Sequence, residues 1–341
     1  MNSVVRTVLG DIAPGDLGPT LMHEHLLCDI RPPDWHGDGC CGYDILIDER
    51  FAIDYGEVHA PGNLILDGID LIAGELERFR ADGGAAIVEL SCGGLHPDPV
   101  GLAELARRSG VQIVMGCGWY VDEYQDSANA GRNIESFAAE MIAAIREGAF
   151  GTGVRAGIIG EIGCQAPWTD LEKRVMAAAV IAMQETGAAL AVHPGRDADQ
   201  PQEIAGFLRG HGADLTRVVI SHIDRTIFDD ERLFRLADTG IGVEFDLFGM
   251  ETTYYKWADI DMPNDGVRVA ALRRLRDRGH IDQLLISQDI CYRSRLLRYG
   301  GHGYGHLFRN VVPLLLRRGF CQEEVDRMLL ETPRRLLALP Q

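Results

Sequence analysis

Eight short apolar runs, spread along the chain and separated by segments of helical periodicity, constrain this sequence more than any other feature. They are Thr20 to His23, Ala85 to Leu90, Val111 to Gly116, Ala156 to Ile162, Leu190 to His193, Val218 to Ser221, Ile241 to Phe245 and Leu284 to Ser287. Between them, Ile69, Ile72, Leu76 and Phe79 repeat at three and four residues, as do Leu307, Val311 and Leu314, which predicts amphipathic helices. Thr169 followed by Glu172 predicts a capping box at the start of another. Strands that alternate with helices pair in parallel, because a parallel connection needs a crossover, and eight such units close a barrel. The expected fold is therefore α/β, a (β/α)8 TIM barrel. An open doubly wound sheet would place a Gly-rich phosphate turn after its first strand, where this chain has His23-Glu24-His25. The polar stretch from Arg31 to Asn63 predicts a long loop over the barrel mouth. No repeat, linker or low-complexity segment divides the chain, so one domain over residues 1–341 is expected.

Composition narrows the function classes. A chain of 341 residues, 46% hydrophobic and 25% charged, can bury the core of an enzyme-sized α/β domain. Its formal charge of -18, from 33 Lys plus Arg against 51 Asp plus Glu, repels both nucleic acid and an anionic membrane surface. Neither is an expected partner. No run approaches the roughly 20 apolar residues of a membrane span, and the N-terminus lacks the basic and apolar regions of a signal peptide, so a cytoplasmic location is expected. The eight cysteines, at positions 28, 40, 41, 92, 117, 164, 291 and 321, form no CxxC pair and are expected as free thiols. Adjacent Cys40 and Cys41 lie in a Gly-rich loop and are expected to have no functional role.

Side chains two apart on a strand share a face, so His23 and His25 can both face the barrel interior while Glu24 points outward. An HxH alone is weak evidence for metal. Position strengthens it, because four later runs each lead to one more potential ligand: Glu161, His193, His222 and Asp289. The active site of such barrels lies at the C-terminal ends of the strands. Imidazoles and carboxylates buried there are costly unless something pairs them. Nitrogen and oxygen donors without thiolate suit zinc, manganese, iron or cobalt.

These residues, with Gly157 to Cys164, His193 to Arg196, Ser221 to Thr226, Phe245 to Gly249, Asp259 to Pro263 and Tyr299 to Tyr304, resemble the phosphotriesterase branch of the amidohydrolase superfamily. Within it they are similar to the phosphotriesterase-related proteins, over essentially the whole chain and more loosely between Asp29 and Asn63. The resemblance implies two divalent metal ions, zinc foremost with manganese, cobalt or iron as alternatives. It assigns His23, His25 and Asp289 to the more buried ion and His193 and His222 to the more exposed one, with an acidic bridge between. Many members use a carbamylated lysine as that bridge. Here the only lysines are Lys173 and Lys256, neither in a candidate strand, which leaves Glu161 as the carboxylate in the matching segment.

A metal-bridging hydroxide is then the expected nucleophile and Asp289 the catalytic proton carrier. Tyr120 is expected to face the metals, and Arg196, Arg293 and Arg295, after the fifth and eighth runs, suit a carboxylate, sulfonate or phosphate on a small-molecule substrate. The resemblance implies hydrolysis of a small N-acyl compound, an N-acyl taurine or N-acyl amino acid. The alternatives are a lactone (a sugar lactone or acyl-homoserine lactone) or a phosphotriester. A non-catalytic ligand-binding protein is the reading from another class, and the intact Asp289 argues against it. A homodimer is compatible with all of these.

Overall fold

The computed structural model describes residues 3–33 and 45–340. All eight apolar runs are strands of one sheet: β1 (Thr20–Glu24), β2 (Ala86–Glu89), β3 (Gln112–Cys117), β4 (Ile158–Gly163), β5 (Leu190–His193), β6 (Val218–Ile220), β7 (Gly242–Phe245) and β8 (Leu284–Ile286). Each pairs in parallel with its neighbour in sequence, so the sheet runs from β1 to β8 in chain order. The seven main connecting helices are α1 (Ile69–Ala81), α2 (Pro99–Ser109), α3 (Ile134–Arg146), α4 (Asp170–Thr186), α5 (Gln200–Gly210), α6 (Asp230–Ala237) and α7 (Asp265–Asp277). After β8 comes α8 (Val312–Arg317), preceded by a π-helical turn at Leu307–Val311.

Two buried layers follow from the strand alternation. Ala86, Val88, Val114, Ile158, Ala191, Val219 and Leu285 fill the barrel interior. Ile87, Ile113, Ile159, Val192 and Ile220 face outward and pack under the helices with Ile72, Leu76 and Phe79 of α1. Each of these three helix residues is fully buried and contributes roughly 1.5–3 kcal/mol. The capping box forms as expected on α4, and the Glu172 carboxylate also accepts from Asp122 and Gln165, tying that helix to the loops after β3 and β4. A three-stranded antiparallel sheet of Ser3–Thr7, Gly10–Ile12 and Ala338–Pro340 joins the two chain ends, and Val5, Leu336 and Leu337 pack with the interior layer.

The loop predicted between Arg31 and Asn63 contains a short helix, Arg50–Asp54, and returns to the barrel mouth. There the Arg50 guanidinium donates to Ser294 O at 2.8 Å and Ser294 N donates to Asn63 Oδ1 at 2.8 Å. Cys40 and Cys41 lie outside the described residues. Among those described, Cys28, Cys92, Cys117, Cys164, Cys291 and Cys321 are free thiols. No described helix is long and apolar enough to cross a membrane.

Glu24, expected to point away from the barrel interior, is fully buried. The β1–β2 register shifts between Leu21 and Glu24, and the carboxylate turns to the seam where β8 meets β1. It lies 2.8 Å from Ser287 Oγ and accepts N–H bonds from Gln288 at 2.8 Å and Ile290 at 3.0 Å, so it grips the backbone on both sides of Asp289. Ser287 Oγ also accepts from His23 N at 3.0 Å, and Asp289 N donates to His23 O at 3.2 Å. Side chains thus close the barrel where the strand ladder stops. Glu24→Ala strands two buried N–H groups, and unfolding in urea should show a loss of about 2–4 kcal/mol. Unchanged stability would show that the seam closes without this carboxylate.

Candidate metal centre

The strand ends bring together five of the predicted ligands around Glu161, at the head of a short run in β4 where only glycine fits. Gly160 has φ of 129°, and a Cβ there would overlap Ala191 O of β5. Glu161 Oε1 lies 3.5 Å from His25 Nε2. Oε2 lies 3.5 Å from His23 Nε2, 2.9 Å from His193 Nδ1 and 3.6 Å from His222 Nε2. Asp289 Oδ1 stands 3.3 Å from His25 Nε2 and 3.8 Å from His23 Nε2. His222 and Asp289 adopt positive φ of 56° and 46°, which turns each chain inward just past β6 and β8.

These atoms fit a metal ion. Two donors about 2.0–2.1 Å from one zinc ion at the tetrahedral angle stand about 3.3 Å apart, close to the separations found here. His23 Nε2 is buried with no hydrogen-bond partner, although it faces two carboxylates. His23, His25 and Asp289 form one candidate ligand group, and His23, Glu161 and His222 another. A third, His23 with Glu244 and Asp246, lies on the Nδ1 side of the same ring. Its carboxylates are already engaged, Glu244 by Ser221 Oγ at 3.0 Å and Asp246 by His222 Nδ1 at 2.8 Å, so they read as supports.

That support is systematic. His23 Nδ1 contacts Ser221 Oγ at 3.1 Å and Asp246 Oδ2 at 3.2 Å. His25 Nδ1 contacts Ser91 Oγ at 2.9 Å, and Ser91 donates to Glu89 Oε1 at 2.5 Å. Holding one ring nitrogen this way fixes which nitrogen is free for a metal and makes it a better donor. Sequence reasoning passed over Glu89, Ser91, Ser221, Glu244 and Asp246. The signal was available, since Glu89 and Glu244 interrupt apolar strand runs and a carboxylate buried there needs partners.

Electrostatics follows from burial. Burial alone would raise the Glu161 carboxyl, yet the surrounding imidazoles hold it well below the usual range, so it stays ionised. Asp289 is likewise lowered against the effect of burial, by its bond to His25 and the charges of His222 and His23. Burial lowers His23, His25 and His222, but neighbouring carboxylates outweigh it and raise all three. His193 is pushed down to about 3, first by burial, with His222 and Arg225 adding to that against the pull of Glu161.

Above the cluster opens a cavity lined by His25, Glu161, His193, His222 and Asp289. Tyr120 lines it with its hydroxyl 3.3 Å from His193 Nε2. Arg196 and Arg295 line it too, Arg196 donating to Tyr255 Oη and Arg295 to Asp289 O and Met250 Sδ. Arg293 lies elsewhere: its guanidinium donates to Ile65 O at 2.8 Å and pairs with Asp67 at 2.6 Å, because the chain after β8 turns it toward the returning mouth loop. Arg225, not anticipated, is buried in the cavity wall. Among the described residues, Arg196, Arg225 and Arg295 have no carboxylate within ion-pair distance. Asp224 instead pairs with Arg268 at 2.7 Å, and His306 with Asp265 at 2.7 Å.

Fold and site together define a hydrolase, and the chain belongs to the phosphotriesterase family, whose sequence pattern matches residues 3–337. Among individual relatives, the N-acetyltaurine hydrolase of Xenopus tropicalis is 40% identical over 99% of this chain and 98% of its own. The human protein of that name is 38% identical over the same shares. A resiniferatoxin-binding protein from Rhodobacter sphaeroides superposes with a TM-score of 0.91 at 32% identity, covering 98% of this chain and 94% of that one. The phosphotriesterase homology protein of Escherichia coli, solved with phosphate in its active site, gives 0.79 at 29% identity over 94% and 99%.

Because neighbouring carboxylates raise His23, His25 and His222 above the usual imidazole range, protons compete with a metal ion for these rings. Affinity for a divalent ion, measured by chelator competition, should fall as pH drops from about 8 to about 6, and uptake should acidify a weakly buffered solution. Affinity independent of pH would contradict this charge assignment.

Proposed function

We propose that the protein hydrolyses the amide bond of small N-acyl compounds whose amine portion carries an anionic group, N-acetyltaurine foremost and N-acetyl amino acids next. The observation that carries this is the cationic wall of the cavity. In a chain of formal charge -18, guanidiniums facing a metal-type cluster without carboxylate partners are complementary to a sulfonate or carboxylate. The relatives named N-acetyltaurine hydrolase support the same substrate.

In this reading His23, His25 and Asp289 would hold one divalent ion and His193 and His222 a second, with Glu161 shared by both. Such a pair supplies a water acidified toward neutrality and polarisation of the acyl oxygen. The chain's own residues do the rest. Asp289, beside His25 and lining the cavity, takes the proton of the attacking water and returns it to the departing nitrogen. That return matters for an amide, because an unprotonated amine anion leaves poorly. Arg196 and Arg295 receive the anionic end of the substrate.

Asp289→Asn keeps the size but cannot carry the proton, so turnover of amides should fall on the order of 100-fold or more in samples of matched metal content. Parental amide turnover would remove Asp289 from that role. Arg196→Ala should raise KM for the anionic substrate by the equivalent of about 1–3 kcal/mol and leave neutral amides nearly unchanged. Equal effects on both would count against anion recognition.

The reading is tested with purified, metal-loaded protein against N-acetyltaurine, N-acetyl amino acids, neutral N-acetyl amides, sugar and acyl-homoserine lactones, and a phosphotriester. Anionic N-acyl compounds should dominate. Preference for neutral amides, or activity confined to lactones or the phosphotriester, would replace it.

A further inference from the structure

Of the four histidines around Glu161, three have a carboxylate or a serine–carboxylate pair behind the ring, and the fourth has a cation. The Arg225 guanidinium lies 3.2 Å from His193 Nε2 and donates to Pro194 O at 3.0 Å and Gly195 O at 3.2 Å. Arg225 is 2% exposed, and no described carboxylate is within ion-pair distance of it. A guanidinium offers only donors, so it cannot accept a proton from the ring. When His193 Nδ1 presents its lone pair to the cluster, Nε2 carries the hydrogen. The acceptor in reach is the Tyr120 hydroxyl at 3.3 Å, a neutral group.

The consequence concerns donor strength. A carboxylate behind an imidazole pushes electron density toward the ligating nitrogen, as Asp246 does for His222 at 2.8 Å. A fixed positive charge behind it draws density away. We propose that Arg225 is a positioning residue that keeps His193 a deliberately weak donor, so that the ion held by His193 and His222 is bound more loosely and retains more of its charge for the substrate's acyl oxygen. The same side chain fixes the ring's place, because its bonds to Pro194 and Gly195 pin the turn that leaves β5. This inference rests on the two-ion reading given above.

The test is a titration of metal-stripped protein with Co²⁺, followed by its visible absorption and by competition with a chelator, in wild type and in Arg225→Met and Arg225→Lys. Wild type should bind in two steps. In Arg225→Met the weaker step should tighten by about tenfold, the lower end of what outer-shell partners of a metal ligand exert, while kcat falls and KM for N-acetyltaurine changes little. Arg225→Lys keeps the charge and should restore the wild-type weaker step. An unchanged weaker step in Arg225→Met, or a KM rise with unaltered metal affinity, overturns the inference, the latter making Arg225 an anion site instead. Should Arg225→Met fail to fold, wild type carries the test: two steps separated by about tenfold or more support it, and equal affinities overturn it. Uptake of a single ion by wild type would defeat the two-ion reading itself.

Discussion

The Glu161 carboxylate, 2% exposed and placed where strands β1, β4, β5 and β6 converge, is the constraint on which the rest of the structure depends. A charge removed from water must be compensated by charge of opposite sign and by hydrogen bonds. The imidazoles of His23, His25 and His222 supply the first, and His193, pushed down to about 3, contributes a hydrogen bond at 2.9 Å. Their own second nitrogens then need partners, which is why Ser91, Ser221 and Asp246 stand behind them, with Glu89 and Glu244 behind the serines. The polar network therefore extends deep into strands that a purely apolar barrel would have filled with branched aliphatics.

Closure of the barrel is what lets residues as distant as His23 and Asp289 meet. The ladder between β8 and β1 is replaced by Ser287 and Glu24, and the latter holds the backbone on either side of Asp289. The positive φ values at His222 and Asp289 cost of order 1–3 kcal/mol each, so the surrounding hydrogen bonds must hold them. Asp246 bonds both the backbone N–H and the ring of His222, and His23 O receives the N–H of Asp289. The cluster of candidate ligands and the seam are thus one network: loosening Glu24 loosens the turn that carries Asp289.

The strands were legible because each one is a short, mostly apolar run, and observed ends differ from the expected ones by a residue or two at most, as in Ala156 to Ile162 against Ile158–Gly163. Ligand candidates were legible because each lies within three residues of a strand's end. What could not be read was the direction of side chains that depends on the seam and on loop paths. That Glu24 bonds across the seam to Gln288 and Ile290 could not be read, because the register shift in β1 leaves no mark in the sequence. Arg293 looked like a cavity residue because its neighbour Arg295 is one, and only the turn at Arg293–Arg295 sends the two in different directions. Arg225 was hidden inside a motif whose histidine drew the reading, and the terminal sheet was too short to stand out.

The account's central claim is that Glu161 is shared by two divalent ions, one with His23, His25 and Asp289 and the other with His193 and His222. Anomalous diffraction at the metal's absorption edge from crystals of the metal-loaded protein tests it directly. The account predicts two peaks about 3.5–4 Å apart with the unmodified Glu161 carboxylate between them. A single peak, or a pair bridged by some other group with Glu161 turned away, would contradict it.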